Sequence, residues 1–492
     1  MRLGITFFVS GFILLIFGAA MLIPGILDFA DGRTASGYSF CLSAVVTCFF
    51  ALLFMLTFYN RWDRLSVREM YLTTSLVWLL VCVFCALPFF FAPEPLNYTD
   101  AFFETMSGLT TMGATVISKL DLRPRGLLLW RGMIQWFGGL GIIVIALAIL
   151  PMLRIGGMQL FSTESSDKSG KTMPKTSQII GTMMIVYIVL TIGCILSLYF
   201  SGLDLFEAVT YSLSTIPTGG FAPRDSSAMN LSALQQWLLI FFMFISGMPF
   251  FFLYFFFIRD WDKVKSDLQV KTYILFTLAT VLILTIWLKW TYPGRGVFEA
   301  LRAVAFTIVS ILTTTGFSSE DFGSWGAFAT MFLVILLPIG SCTGSTAGGI
   351  KIFRFDILYL SAVKYLRNKI LPHGVFVAKY NGKPLNEDVI SGVFVFMTIF
   401  FLSFLISSLL LSLLGLDFIT AISGSLSALG NVGAGLGPVI GPTGSFAVLP
   451  PSAKWILSID MMLGRLEYMT VFVLLLPLAW RKEKKNTVTA AF

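Results

Sequence analysis

The chain is poor in the residues that soluble enzymes use for chemistry. Among its 492 residues only 12% are charged, and there is a single histidine, His373, which lies in a polar, basic stretch. The sequence therefore offers no histidine cluster and no paired acidic motif for a metal centre or a catalytic triad. We interpret the chain as a protein without enzymatic activity.

Cysteine is also scarce, and its spacing does not indicate a metal site. Cys82 and Cys85 have the C-x-x-C spacing of a ligand pair, but no second pair accompanies them. We therefore interpret them as small apolar residues on a spanning helix. The other cysteines mostly lie in apolar runs as well: Cys41, Cys48, Cys194 and Cys342.

Alternating polar and apolar strands are absent, which excludes a β-barrel. Long continuous apolar runs take their place, with 57% hydrophobic residues and a mean hydropathy of +0.86. This composition predicts a polytopic α-helical protein whose solvent is the lipid bilayer. The net charge of +8 indicates basic loops on one side of the membrane rather than a nucleic-acid partner. The apolar N-terminal run is too long for a signal peptide, so we interpret it as a spanning helix.

Four short glycine-containing stretches recur about every hundred residues. They align on Gly113, Gly220, Gly316 and Gly433 and read TTMGAT, PTGGFA, TTTGF and LGNVGAG. A serine stands six residues before each glycine and a large aliphatic residue four before: Ser107, Ser214, Ser310, Ser427; Leu109, Ile216, Leu312, Leu429. We interpret this register as a fourfold internal repeat in which a half-helix runs into a turn.

The predicted fold is an all-α polytopic membrane protein. Four pseudo-fourfold repeats of outer helix, pore helix and inner helix surround a central ion pore, and a two-helix hairpin precedes them, giving ten spans and four half-helices. The predicted units are residues 1–67 (hairpin), 68–153, 154–259, 260–371 (with a broken second helix) and 372–492 (with a cytoplasmic tail). The other inner helices are predicted as continuous, over 126–153, 234–258 and 453–480.

Basic residues cluster in alternate loops, which predicts cytoplasmic N- and C-termini and half-helices that enter from outside. The clusters are Arg61, Arg64, Arg68; Arg154, Lys168, Lys171, Lys175; Arg259, Lys263, Lys265, Lys271; Lys364, Arg367, Lys369, Lys379, Lys383; and Arg481, Lys482, Lys484, Lys485.

The four glycine turns are the candidate functional site. Irregular backbone at membrane depth is tolerated where it is buried in protein or lines an aqueous cavity, so the turns are expected to meet around one cavity. Their carbonyl oxygens can replace the water shell of a monovalent cation, and the negative C-terminal ends of the half-helices favour a cation. Neighbouring threonines are expected to hold the turns by side-chain hydrogen bonds: Thr110, Thr111, Thr218, Thr313, Thr314 and Thr315. The alternative is a set of ordinary Gly/Thr loops.

Two further features interrupt the apolar runs. The stretch GSCTGSTAGGIK, Gly340–Lys351, predicts a flexible intramembrane segment below the turns that can obstruct the pore. A nucleotide-binding loop and a plain helix break are the rival interpretations. Arg465 lies within a span and either faces the pore or pairs with Glu467 or Asp460. Lys351 has the same ambiguity.

Together these motifs and MLGRLEYMT resemble the TrkH/KtrB superfamily of potassium transporters, and the leading hairpin favours the TrkH branch. The resemblance implies a homodimeric potassium-uptake subunit of the bacterial inner membrane with one pore per protomer. Its partner would be TrkA, a cytoplasmic ring of RCK domains that binds nucleotide (ATP/ADP or NADH). The chain itself would bind only K⁺.

The resemblance also implies roles for individual residues. The selectivity filter would comprise Thr111, Met112, Gly113, Thr218, Gly219, Gly220, Thr315, Gly316, Asn431, Val432 and Gly433, with K⁺ held by their backbone carbonyls. The gating loop would comprise Gly340, Ser341, Thr343, Gly344, Ser345, Gly348, Gly349 and Lys351, and Arg465 would be the pore barrier. Two positions depart from the family: Met112 replaces a small hydroxyl residue, and GNVGAG replaces the common NVGPG.

A coupled secondary transporter, moving K⁺ with H⁺ or Na⁺, is the main alternative to a passive pathway. Coupling usually needs an intramembrane carboxylate. The candidates are Glu104, Glu299 and Asp460.

Overall fold

The computed structural model describes residues 3–59, 67–144 and 176–477. The predicted basic clusters at Arg61–Arg64, Arg154–Lys175 and Arg481–Lys485 lie outside these ranges. The described chain is almost entirely helical, and its only paired strands are the two short ones of a hairpin, Lys379–Tyr380 and Lys383–Pro384.

Long helices form the periphery. The leading hairpin consists of Leu3–Ala20, which continues as Leu22–Ala30, and of Thr34–Phe58. The four outer helices are Val67–Cys85 (extended by the short Leu87–Phe90), Thr176–Phe200, Leu268–Thr291 and Glu387–Leu413. The sequence predicts these helices over 6–27, 36–59, 69–91, 178–200, 270–290 and 389–414. All agree to within a few residues, because each is a continuous apolar run with few charges.

The outer helices turn apolar residues outwards. On Leu268–Thr291, Leu275 and Leu278 are 71% and 62% exposed, whereas Thr277 and Thr280 on the opposite face are buried. This pattern is the reverse of a soluble amphipathic helix, and it suits a helix with lipid on one side and protein on the other. Six described helices are long and apolar enough to cross a membrane, and a bent pair brings the number to seven. The ten-span count stays a prediction.

Four short helices lie inside this periphery, one per repeat, and we call them pore helices. They are Tyr98–Leu109, Leu205–Thr215, Val297–Leu312 and Phe418–Gly430. Asparagine or aspartate side chains cap three of the four N-termini: Asn97, Asp204 and Asp417. The first turns are partly exposed, whereas the C-terminal halves are buried. Each pore helix therefore points its C-terminal end into the protein.

The inner helices differ most from the prediction. That of repeat 1 runs Arg125–Val144 without a break in the described part of the chain, but the predicted continuous helices of repeats 2 and 4 are wrong. In repeat 2, Ala233–Ser246 and Phe250–Phe257 meet at a bend of 102°. In repeat 4, three residues separate Pro451–Arg465 from Met469–Leu475, and two of them, Glu467 and Tyr468, have positive φ.

The inner helix of repeat 3 has the predicted break. It runs Ala327–Leu336, gives way to a buried non-helical segment and resumes as Ile352–Ile370. Within the described ranges, three of the four inner helices are therefore interrupted. The remaining short elements are helices Trp261–Ser266 and Gly437–Ile440 and the 3-10 turns Leu120–Leu122, Phe322–Trp325 and Phe446–Val448.

Candidate functional site

The four glycine turns share one backbone conformation. Two residues before each aligned glycine stands a non-glycine residue in the left-handed region, with φ between 53° and 56°: Thr111, Thr218, Thr314 and Asn431. The glycines themselves have positive φ as well: 91° at Gly113, 78° at Gly220, 82° at Gly316 and 80° at Gly433. Left-handed non-glycine residues cost about 1–3 kcal/mol each, so surrounding contacts must hold them in place.

One backbone hydrogen bond recurs at the serine position of all four turns. The backbone amide just before each glycine donates to the carbonyl of the serine at the end of the pore helix. The N···O distances are 2.8 Å for Met112–Ser107, 2.8 Å for Gly219–Ser214, 2.8 Å for Thr315–Ser310 and 2.9 Å for Val432–Ser427. The bond closes the last helical turn and satisfies carbonyls that the helix end would leave unpaired.

The four turns close into a ring. A β-carbon placed on any of the four glycines would lie under 3.0 Å from the carbonyl oxygen just before the glycine of another repeat. Gly113 faces the carbonyl of Gly219, Gly220 that of Thr315, Gly316 that of Val432, and Gly433 that of Met112. The order runs 1, 2, 3, 4 and back to 1. The glycines are therefore required twice, by their dihedral angles and by the approach of the neighbouring carbonyl.

The segments that follow the turns are also joined between repeats. Thr115 O accepts from Phe446 N at 3.2 Å, Ser318 O accepts from Ala228 N at 3.0 Å, and Leu120 N donates to Asp225 at 3.0 Å. These bonds connect repeats 1 and 4, 2 and 3, and 1 and 2.

Only some of the flanking threonines hold the turns by side-chain hydrogen bonds. Thr313 and Thr315 share a hydrogen bond, and the Thr218 hydroxyl donates to the carbonyl of Pro217. Thr314 accepts from the amide of Gly348 at 2.7 Å. The Thr110 hydroxyl instead bonds back along its own helix, and that of Thr111 has no partner among the described residues.

The inner helix of repeat 1 braces the turn of repeat 2. Gln135 donates from Nε2 to the carbonyl of Gly219 at 2.5 Å and accepts at Oε1 from the amide of Phe221 at 3.1 Å. One helical turn earlier, the Arg131 guanidinium donates to the carbonyl of Ala222 at 2.9 Å and lies 4.1 Å from the centre of the Phe221 ring.

Arg131 is itself held by a buried ion pair. Its Nε lies 2.8 Å from a carboxylate oxygen of Glu104, on the pore helix of repeat 1, and the two side chains are 2% and 0% exposed. The same carboxylate accepts from the hydroxyl of Thr115 and, at 2.8 Å, from the amide of Val116. Glu104 thus holds the segment after the first turn.

The segment Gly340–Lys351, which we call the sub-ring loop, contacts the ends of three pore helices. Ser341 donates to the carbonyl of Leu312 at 2.7 Å, and Thr346 donates to that of Ile216 at 3.0 Å. A β-carbon on Gly348 would lie under 3.0 Å from the carbonyl of Gly430. Gln269 binds the backbone of Thr343 on the loop's other side. The glycines and small residues of this segment therefore permit close approach of loop and ring.

Backbone hydrogen bonds fix the position of the sub-ring loop. Gly340 N donates to Ile350 O at 3.0 Å, so the two ends of the loop lie next to each other. Gly344 accepts from Phe250 N at 2.9 Å, and Cys342 N donates to Gly247 O at 3.1 Å. Both partners lie at the bend in the inner helix of repeat 2. Ser345 bonds within the loop, and Gly349 has a positive φ of 68°.

Two buried cations bind consecutive carbonyls of this loop. Arg465 Nη1 donates to Thr346 O at 2.9 Å, and Lys351 Nζ donates to Ala347 O. The two carboxylates considered as partners of Arg465 bind other groups among the described residues: Glu467 pairs with Arg354, and Asp460 accepts from Ser407. The Nε and Nη2 atoms of Arg465 have no partner in the described part of the chain.

The three candidate coupling carboxylates occupy different environments. Glu104 is ion-paired, whereas the Glu299 side chain is 55% exposed and lies 3.6 Å from Arg295. Asp460 is buried. The described residues contain no group of three or more His, Cys, Asp or Glu that could hold a metal ion.

Sequence reasoning missed four residues that support the turns or the sub-ring loop. Thr346 lies inside the predicted loop, but nothing in the sequence distinguishes it from the neighbouring small residues. Gln135 and Arg131 can be identified from the sequence as candidates, since polar side chains inside an apolar span usually face protein. The hydroxyl of Tyr468 donates to the carbonyl of Leu429 at 3.0 Å. This contact cannot be inferred from the sequence, because the position of Tyr468 depends on the break in its helix.

Comparisons with known proteins agree with this architecture. Residues 40–479 match the family described as TrkH, cation transport protein. The chain is 43% identical over 417 residues to the Trk system potassium uptake protein TrkI of Halomonas elongata, covering 84% of each. It is 35% identical over 486 residues to TrkH of Escherichia coli K12, covering 96% of this chain and 98% of the relative. The crystal structure of the potassium transporter TrkH from Vibrio parahaemolyticus superimposes with a TM-score of 0.89 at 31% identity, over 98% of this chain and all of that one.

Proposed function

The chain belongs to the TrkH family of cation transport proteins, and from this premise we propose that it is a potassium-uptake pore subunit. K⁺ would cross the bacterial inner membrane through the ring of backbone carbonyls. The closed order of glycine and carbonyl contacts around the four turns carries the proposal. The relatives named as potassium uptake proteins support the choice of ion. Ten spans with both termini cytoplasmic complete the proposed topology.

The chemistry of the ring suits a weakly hydrated monovalent cation. Carbonyl oxygens can replace the hydration shell of such an ion, and an anion has no counterpart donor there. The pore helices end at the ring with their negative dipole ends, which adds a field that attracts cations. The filter would thus comprise the four turns that end at Gly113, Gly220, Gly316 and Gly433.

The sub-ring loop would act as the gate. Support comes from its contacts with three pore-helix ends and from the two cations that bind Thr346 and Ala347. In this arrangement the positive charge of Arg465 would raise the barrier to a cation that leaves the filter. Opening would require the loop to move and the two carbonyl bonds to break.

Gating would be controlled by a TrkA-like cytoplasmic ring of RCK domains that binds ATP/ADP or NADH, and two copies of the chain would form a homodimer. Support for a docking site comes from an exposed apolar segment after the inner helix of repeat 3. Leu371, Val375 and Val377 are 58%, 92% and 56% exposed beside a hairpin rich in lysine. Val375→Asp is expected to weaken binding of the TrkA-like cytoplasmic partner to the purified chain without changing the chain's own folding.

The deciding experiment measures K⁺ flux into proteoliposomes that contain the purified chain, with no H⁺ or Na⁺ gradient. A passive pore gives flux that follows the K⁺ gradient and reverses near the K⁺ equilibrium potential. Empty vesicles and vesicles with the Gly316→Ser variant serve as controls. Flux that requires an imposed H⁺ or Na⁺ gradient would overturn the passive mechanism, and equal K⁺ and Na⁺ permeability in the unaltered chain would overturn the filter assignment.

A coupled transporter is the second candidate, and Asp460 is the observation that favours it. Its buried carboxylate accepts from Ser407 and has no cationic partner among the described residues. A coupled mechanism predicts that Asp460→Asn abolishes any dependence of K⁺ flux on the H⁺ gradient. The passive mechanism predicts no such dependence in either form.

A further inference from the structure

The turn of repeat 2 is the only one of the four with two successive glycines. The second, Gly220, meets the two requirements that its counterparts meet. The first, Gly219, does not have a positive φ, so its backbone conformation does not require glycine. The other three repeats carry fully buried side chains at this position: Met112, Thr315 and Val432. Repeat 2 therefore lacks the side chain that backs the ring elsewhere.

The side chain of Gln135 occupies that space. A β-carbon on Gly219 would lie 2.5 Å from Cδ, 2.6 Å from Oε1 and 2.8 Å from Nε2 of Gln135. A side chain at position 219 would have to displace the end of the glutamine side chain from this position. The glycine at 219 is thus explained by its neighbour rather than by its own backbone.

The glutamine also makes the bonds that position the turn. Its Nε2 donates to the carbonyl of Gly219 and its Oε1 accepts from the amide of Phe221. These partners fix the orientation of the amide, because the flipped orientation would set oxygen against oxygen and nitrogen against nitrogen. The carbonyl of Gly219 is the ring member that faces Gly113. Gln135 therefore touches one of the four ring carbonyls directly.

We propose that Gln135 is a positioning residue for ion selectivity, replacing from a neighbouring repeat the side chain that repeat 2 lacks. Two successive glycines make this segment the most flexible of the four, and the glutamine restrains it from both sides of Gly220. It also sets the direction of the Gly219 carbonyl. This inference rests on the proposed function, since it concerns the same filter.

The test compares K⁺/Na⁺ permeability ratios, from reversal potentials in proteoliposomes, for Gln135→Leu and Gln135→Glu. Leucine removes both hydrogen bonds, and we expect the ratio to fall about tenfold, as the loss of about 1.4 kcal/mol of discrimination implies. Glutamate keeps the acceptor for Phe221 but loses the donor to Gly219, so the ratio should fall as well. The matched control is Gln236→Leu, a buried glutamine that binds the carbonyls of Ala228 and Leu231. Its ratio should equal that of the unaltered chain.

A reciprocal pair keeps the test decisive if leucine prevents folding. Gly219→Ala alone should clash with Gln135 and lower the ratio, and Gln135→Ala alone should free the turn and lower it too. The double variant removes the clash and returns a side chain to position 219, so its ratio should exceed that of either single variant. Additive losses, or unchanged ratios in folded Gln135 variants, would overturn the inference. A non-selective unaltered chain would instead overturn the proposed function.

Discussion

The ring of carbonyls and the layer directly beneath it differ in how the four repeats contribute to them. In the ring, four repeats contribute equivalent turns with matched dihedral angles, matched serine bonds and glycine contacts that close in order. Beneath it, one repeat supplies almost the whole layer, Gly340–Lys351, and a second repeat adds Arg465. Equal contributions suit the proposed filter, in which an ion is surrounded on all sides. Unequal contributions suit the proposed gate, a loop with two positions.

The difference shows in how each layer is held. Backbone contacts to neighbouring repeats define the ring, so a change in one turn is transmitted to the next. The loop has backbone bonds too, but individual side-chain hydrogen bonds also hold it: its own Thr346 donates to Ile216, and Thr314 and Arg465 bind its backbone. Ring variants should therefore alter selectivity, and loop variants should alter flux while selectivity stays constant. The following changes test that division.

The largest effect is expected from Glu104→Ala, at the boundary between repeats 1 and 2. It leaves Arg131 buried without its carboxylate, which should lower the free energy of unfolding by about 3–5 kcal/mol. Thermal unfolding in detergent and the amount of folded protein measure this. The control is Glu94→Ala, because the Glu94 side chain is 80% exposed in its pair with Arg123 and should contribute about 0–1 kcal/mol. Equal stability of both variants would show that the ring does not depend on this ion pair.

Gly316→Ser should weaken selectivity without preventing folding. The substitution sets a β-carbon against the Val432 carbonyl in a left-handed conformation that costs about 1–2 kcal/mol, so the K⁺/Na⁺ permeability ratio should fall about fivefold to thirtyfold. Gly202→Ser is the control, since Gly202 has a φ of 93° but no neighbour within 4 Å of a β-carbon. An unchanged ratio in Gly316→Ser would count against a filter at this ring.

Arg465→Ala should raise K⁺ flux several-fold while the permeability ratio stays constant. The change removes a charged hydrogen bond to Thr346, of a kind that contributes about 1.5–3 kcal/mol, and also removes a buried positive charge from the pathway. Flux per folded molecule in proteoliposomes is the measurement, with the exposed Arg367→Ala as control. If selectivity changes together with flux, the two layers are not independent.

Thr346→Val should have the smallest effect, an increase in flux of about twofold to tenfold, mainly from the loss of a bond of about 0.5–1.5 kcal/mol to Ile216. The substitution also removes the longer bond, 3.3 Å, that the Thr346 hydroxyl accepts from Thr218. Thr343→Val is a matched control in the same loop, because the Thr343 hydroxyl has no partner among the described residues. Combined with Arg465→Ala, the effect should be less than additive, since both bonds hold the same residue. Equal flux in the two threonine variants would show that the Thr346 hydroxyl does not help to hold the sub-ring loop in place.

The features set by local chemistry could be predicted. Long apolar runs located the outer helices, and the serine-to-glycine register located the pore helices and their turns. Both succeed because a helix, its capping and a left-handed glycine depend on residues a few positions apart. Small and hydroxyl residues in GSCTGSTAGGIK predicted the broken inner helix of repeat 3 for the same reason.

The breaks in the other two inner helices differ in how far the sequence indicates them. In repeat 2, Gly247 and Pro249 interrupt the apolar run, and a proline inside a helix kinks or ends it, so this break has a local signal that the prediction of a continuous helix overlooked. In repeat 4, Met461–Leu475 contains no proline, and its break has no comparable local signal. The break in repeat 4 follows Arg465, which bonds to a loop more than a hundred residues earlier, and that of repeat 2 lies where Gly247 accepts from Cys342.

Local sequence patterns are sufficient for a membrane-spanning helical chain, four equivalent half-helices and a glycine at the end of each, because hydrophobic length and left-handed backbone are local properties. The order in which the turns meet, the partner of Arg465 and the glutamine that occupies the side-chain space at position 219 emerge from the folded chain alone. Each of these depends on contacts between residues distant in the chain. Such contacts are set by the packing of whole repeats, which no local pattern records.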